Sequence, residues 1–145
     1  MVGILLDTHA LYWLVSGEND LSEAALVAIG ESQQAGTLFV SPITAWELSV
    51  ATGKARAVER PNLGDQPAGP WFRHAVRAIR ARVIPIHQRI ACEAADVVLA
   101  TGHKDPGDCF LIATARVRKA ALVTRDRAIR SIANGDAGYL DVIIC

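Results

Sequence analysis

The sequence predicts an α/β chain, a parallel sheet covered by helices on both faces. Short runs of apolar, β-favouring residues recur along it, and most are followed by a longer segment of helical periodicity. That alternation supplies the crossover helices that parallel strands require, and continuously apolar strands are those buried on both faces. Length and composition agree: 145 residues, 51% hydrophobic and 21% charged, suit one domain spanning 1–145 with a real core and exclude a disordered chain.

Residues 2–6 read as the first strand. Residues 8–15 read as a helix with Leu11, Leu14 and Val15 on one face, stopped by Gly17. Residues 21–34 form a second helix, capped by Ser22, with Leu26 and Ile29 recurring on one side and Gly36 at its end. "TLFV" (37–40) is the second strand. In "SPITAWELSV", Ser41 is an N-cap and Pro42 takes the first helical position, where a missing N–H is no loss; Glu47 falls inside that helix. Residues 53–69, rich in Gly, Pro and charge, read as a loop. Residues 71–81 return to helix, with Phe72, Val76 and Ile79 as the apolar stripe. "RVIPI" (82–86) is a third strand, which Pro85 assigns to a sheet edge or a strand end. Residues 88–100 are helical, and "HKDPGD" opens a further helix running to 119. "ALVT" (121–124) is the fourth strand, followed by Asp126 and a short helix, and "DVIIC" closes as the fifth.

Three cysteines, Cys92, Cys109 and Cys145, form no CxxC pair and no zinc-site spacing, which fits a reducing cytoplasm. The start lacks a signal peptide's basic and apolar regions, and no run approaches the ~20 apolar residues of a membrane span. The expectation is an intracellular, cytoplasmic protein with no membrane partner.

Chemistry enters through acids at strand ends. In open parallel sheets ligands bind beyond the carboxyl ends of the strands. Asp7 follows the first strand, Glu47 lies in the helix after the second, Asp126 follows the fourth, and Asp108 opens the helix before it. If the strands are neighbours, these acids converge on one edge. Clustered carboxylates repel and need a counter-charge. A hard cation, Mg²⁺ or Mn²⁺, fits an all-oxygen set and keeps waters that can attack a phosphodiester. Each acid also has a plainer use. Asp7 and Asp126 suit N-caps, and Glu47 suits a solvated helix face. Asp105-Pro106 reads as N-cap and first helical residue, with Asp108 at the capping-box position.

"LLDTHALYWL", "SPITAWELSV", "HKDPGDCFLIATA" and "LVTRD" resemble, in order and spacing, the motifs of PIN-domain ribonucleases, in particular VapC-type toxins of type II toxin–antitoxin pairs. The resemblance spans nearly the whole chain. It implies a PIN-like three-layer α/β/α sandwich with a central parallel sheet. It also implies a Mg²⁺- or Mn²⁺-dependent endoribonuclease held in check by a cognate antitoxin. Carried over, the site is Asp7, Glu47, Asp108 and Asp126. Asp7 and Asp108 are the expected direct metal ligands; Glu47 and Asp126 complete the pocket directly or through water. Thr8 and Thr124 orient carboxylates or waters, and Asp105 is a cap or a residue behind the ligands. Relatives often carry Arg after the third acid, where this chain has Cys109, so its absence would alter substrate choice or shift that role to Arg125 or Lys104.

Formal net charge is zero, from 15 basic and 15 acidic residues; without the four site acids a surplus of +4 remains. Arg73, Arg77 and Arg80 fall near one side of their helix, and Arg116, Arg118 and Lys119 near a helix end, as ordinary solvated faces or as phosphate-steering groups. RNA, transfer RNA among the candidates, is implied by the resemblance alone. Trp13, Trp46 and Trp71 read as core or interface aromatics rather than base stackers, and His9 and His103 as local hydrogen-bonding partners rather than ligands. Leu11, Tyr12 and Trp13 look exposed, which suits a homodimer and an antitoxin groove. A competing reading is a PIN-like protein-binding module with a weakened or inactive site, hinted at by Cys109. A phosphoacceptor of haloacid-dehalogenase or receiver type is disfavoured. "DTHAL" lacks the second acid of DxDxT, and the adjacent acids and late Lys of a receiver are missing.

Overall fold

The computed structural model describes residues 3–145. Strands β1 (Ile4–Leu6), β2 (Leu38–Val40), β3 (Arg82–Val83), β4 (Ala121–Thr124) and β5 (Val142–Ile144) pair in parallel in the order β3-β2-β1-β4-β5. The helices are α1 (Thr8–Ser16), α2 (Glu23–Ala35), α3 (Pro42–Ala51), α4 (Ala68–Ala78), α5 (Gln88–Thr101), α6 (Pro106–Arg118) and α7 (Arg127–Gly135). This is the predicted three-layer α/β/α sandwich.

The period-2 geometry of a strand divides the core in two. Ile4 and Leu6 of β1, with Leu38, Val40 and Val123, pack against Leu11 of α1, Ile29 of α2 and Trp71 and Phe72 of α4. Leu5, Phe39 and Leu122 face the other way, onto Ile90 and Val97 of α5, Leu111 and Ile112 of α6 and Ile129 of α7. Most of these side chains are fully buried, each contributing roughly 1.5–3 kcal/mol of apolar transfer. The chain enters β1 through Gly3, whose φ of +104° and contact with the Thr37 carbonyl leave no space for a Cβ.

Local signals set the helix ends. Asp7, Ser22, Ser41, Asp105 and Asp126 each cap a helix with a side-chain oxygen, and Pro42 and Pro106 open theirs.

Several expectations shift. Val2 of the expected first strand lies outside the described residues. Helix α4 begins at Ala68 and ends at Ala78, three residues early at both ends. Residues 68 and 69, the end of the stretch read as loop, belong to its first turn, and Pro70 is tolerated there because first-turn N–H groups have no intrahelical partner. At the other end Arg80 adopts φ +55° and the Ala81 N–H returns 3.0 Å to the Val76 carbonyl, so the chain turns at once into β3. Arg80 therefore leaves the expected basic stripe. Strand β3 is two residues long and lies at the sheet edge, as Pro85 allows. Leu11 and Tyr12, expected at the surface, are core residues at 0% and 6% exposure, because α1 lies directly over β1.

Candidate active site

In the order β3-β2-β1-β4-β5 the chain winds outward from β1 to β3, then crosses to β4 on the other side of β1. The boundary between β1 and β4 is the topological switch point, where crossover helices diverge and leave a crevice at the carboxyl edge. Asp7 is the first residue beyond β1. Its N–H donates to the Val123 carbonyl at 3.1 Å, which extends the ladder and fixes the residue at that edge. One carboxylate oxygen accepts from the Ala10 N–H at 2.7 Å. Burial pushes the Asp7 carboxyl above its ordinary pKa; the Thr124 hydroxyl and the Ala10 N–H oppose that rise, and the Asp126 charge adds to it.

Glu47 stands in the second turn of α3, half-buried. The Thr8 hydroxyl donates to its Oε1 at 2.5 Å and meets the Thr44 hydroxyl at 3.0 Å. Burial raises its pKa, and repulsion from Asp108, Asp105 and Asp7 raises it further. Asp108 lies in the first turn of α6. Its N–H donates to Asp105 Oδ1 at 3.0 Å, and its Oδ2 is 2.8 Å from His103 Nε2. Burial again raises the carboxyl, with Asp105 and Asp126 adding repulsion and His103 opposing. Asp126 is exposed and caps α7, accepting from the Ile129 N–H at 3.0 Å; its own N–H donates to the buried Thr124 hydroxyl at 3.1 Å. Asp7 thus feels Asp126, Glu47 feels Asp7 and Asp108, and Asp108 feels Asp126. Four acids distant in sequence share one electrostatic neighbourhood.

That neighbourhood suits a hard divalent cation. The donors are oxygens, those of Asp7, Glu47 and Asp108 partly desolvated, and the repulsion among the acids is what a cation relieves. Among the described residues no three Asp, Glu, His or Cys side chains converge closely enough to hold an ion by themselves. Mg²⁺ does not need such a triple: it is held through one or two carboxylates and keeps several waters.

Other residues fall differently from expectation. Cys109 points into the core and donates its thiol to the His103 carbonyl at 3.2 Å, so it does not line the acid pocket. Arg125 is committed to the carbonyls of Cys145 and Asp20 and lies over the Trp13 ring. It does not take over an arginine's role there, whereas Lys104 is exposed just ahead of α6. Arg116, Arg118 and Lys119 lie at the opposite end of α6 from Asp108, roughly 15 Å along its axis. Arg116 binds Glu93 and the Tyr139 carbonyl, and Arg118 covers Phe39, so these two arginines are structural cations. His103 makes the expected local bond; His9 instead lies beside the Trp13 ring, with centroids 5.3 Å apart. Trp71 is core, but Trp46 is 54% exposed. It borders a groove of about 440 Å³ that opens from Thr8, Glu47 and Asp105 past Val50, Lys54 and Val58. Sequence reasoning passed over Thr44, although its place three residues before Glu47 puts both on one helix face.

Residues 4–135 match the PIN domain family. The chain is 33% identical over 132 residues to Ribonuclease VapC22 of Mycobacterium tuberculosis, covering 90% of this chain and 92% of that protein. Its fold is similar to the DNA-bound VapBC structure from Salmonella typhimurium, with a TM-score of 0.64 at 15% identity over 99% of this chain and 98% of that one. It is also similar to VapBC2 from Rickettsia felis bound to a promoter DNA fragment, with a TM-score of 0.65 at 14% identity over 97% of both chains. At these identities the two structures speak to fold alone.

Proposed function

The chain belongs to the PIN domain family, and from that premise we propose that it is a metal-dependent endoribonuclease acting as the toxin of a toxin–antitoxin pair. The observation that carries the reading is the gathering of Asp7, Glu47, Asp108 and Asp126 at the switch point, where burial and mutual repulsion raise the carboxyl pKa of Asp7, Glu47 and Asp108 and so invite a cation. The named ribonuclease relative, matched over nine-tenths of the chain, supports it.

In this reading Asp7 and Asp108 hold Mg²⁺ or Mn²⁺. Glu47 and Asp126 complete the acidic lining, directly or through water. A bound ion of this kind lowers the pKa of a water and neutralises charge on the phosphate. The chain's own part is positional. The Ala10 N–H on Asp7, the Thr8 hydroxyl on Glu47 and the His103 ring on Asp108 each hold one carboxylate in place. No serine or cysteine nucleophile is needed, and Cys109 is turned away from the pocket.

The antitoxin is assigned to the groove beside the acids. Exposed Trp46, Val50 and Val58 offer apolar contact there, and Glu18, Glu47 and Glu59 outnumber Lys54 and Arg60. Such a surface favours an apolar segment carrying basic side chains.

Incubating the purified chain with transfer RNA tests the enzyme. Cleavage is expected with Mg²⁺ or Mn²⁺, and should fall more than about a hundredfold with EDTA or in Asp7→Asn, since charge stabilisation worth several kcal/mol is removed. Equal cleavage under all three conditions would overturn the reading.

A further inference from the structure

We propose that Gly107 is a positioning residue: by carrying no side chain, it seats the Glu47 carboxylate against the first turn of α6, inside the acidic cluster. The inference deepens the nuclease reading and rests on it only for the consequence at the metal.

Gly107 is buried, the second residue of α6. A Cβ placed on it would lie 2.5 Å from Glu47 Oε2, 2.7 Å from Cδ and 3.1 Å from Oε1. The three nearest atoms belong to one carboxylate. Backbone conformation does not explain the glycine, because Gly107 is not among the residues with positive φ. Helix propensity opposes it, since glycine in a helix is about 1 kcal/mol worse than alanine. The helical glycines Gly30 and Gly135 are different, because a Cβ on either would meet nothing within 4 Å. What Gly107 provides is space, filled by the Glu47 carboxylate.

The same carboxylate is held from the other side. Thr8, on α1, donates to Oε1 and is itself fixed by Thr44. Glu47 therefore reaches from α3 into a slot between a hydroxyl of α1 and the bare backbone of α6. A carboxylate ends a flexible side chain, whereas the first turn of α6 is fixed by the Asp108 and Cys109 N–H bonds to Asp105 and by Cys109 and Leu111 in the core. A methyl group at position 107 must move the carboxylate rather than the helix, taking it off Thr8 and away from Asp108.

The test is Gly107→Ala, read in two ways. Without metal, carboxyl groups are labelled with carbodiimide and glycine ethyl ester, and Glu47 is followed by mass spectrometry. Gly107→Ala should label Glu47 several-fold faster than the unaltered chain, with a melting temperature equal or higher. With metal, Mn²⁺ binding by calorimetry should weaken roughly tenfold. In a Glu47→Ala background, adding Gly107→Ala should change Mn²⁺ affinity no further, because the glycine acts only through that carboxylate. Unchanged labelling of Glu47 would overturn the inference. So would an equal loss of affinity in the Glu47→Ala background, or a Gly107→Ala chain that unfolds. If the unaltered chain binds no Mn²⁺, the metal reading falls while the labelling still decides the role of Gly107.

Discussion

Asp7 caps α1 while sitting 6% exposed, and the two conditions act against each other. The cap is worth about 1 kcal/mol; burial of the charge opposes it and raises the carboxyl pKa. Between the unfolded value and the raised folded one, the native state binds more protons than the unfolded chain. The Asp7 contribution to stability therefore falls as pH rises through that window. Asp7→Asn removes the charge and keeps a capping oxygen. At neutral pH and without metal it should stabilise the chain by roughly 0.5–2 kcal/mol. The gain should shrink as pH falls into the ordinary carboxylate range, about pH 4 and below, because protonation of Asp7 removes the same charge. Thermal melts across pH check this, and a variant less stable at neutral pH would contradict it. Asp7 and Asp126 were legible by position, because each stands at the end of an apolar run, whereas Glu47 and Asp108 lie inside helices and were picked out by the motifs around them. Gly107 and Thr44 were not, because their relation to Glu47 is a matter of space between helices that no local pattern encodes.

Helix ends were legible wherever a capping side chain stands beside a periodic run, as at Ser22, Ser41, Asp105 and Asp126. The start of helix α4 was misplaced because residues 68 and 69 close a Gly- and Pro-rich stretch, a composition that reads as loop, while Pro70 is harmless in a first turn. The basic group at the end of α6 was ambiguous for a different reason: charge shows in a sequence, its partner does not. Arg116 Nε donates to Glu93 of α5 at 2.6 Å, and its guanidinium stacks 3.8 Å from the Tyr139 ring centre. Arg116→Ala should therefore destabilise the chain by about 1–2 kcal/mol in denaturant unfolding, the range of a partly exposed charge-assisted bond. RNA cleavage should stay within about twofold, since its effect on the barrier at the far end of α6 is under ~0.5 kcal/mol. A large loss of activity with unchanged stability would instead place this end of α6 at the substrate.

At the scale of the whole molecule, alternating strands and helices predict a parallel sheet but not its strand order. The order β3-β2-β1-β4-β5 depends on which way each crossover turns, and it makes β1 and β4 neighbours. That adjacency brings Asp7 to Asp126, while α3 and α6 deliver Glu47 and Asp108 to the same edge. The account stands on these carboxylates forming one cation-binding pocket. Crystals soaked in Mn²⁺ test it most directly, by anomalous diffraction above the manganese edge. The prediction is an anomalous peak within about 2.0–2.3 Å of carboxylate oxygens of Asp7 and Asp108, absent in crystals of Asp108→Asn. Well-occupied Mn²⁺ elsewhere on the surface, with no peak between these two residues, would contradict it.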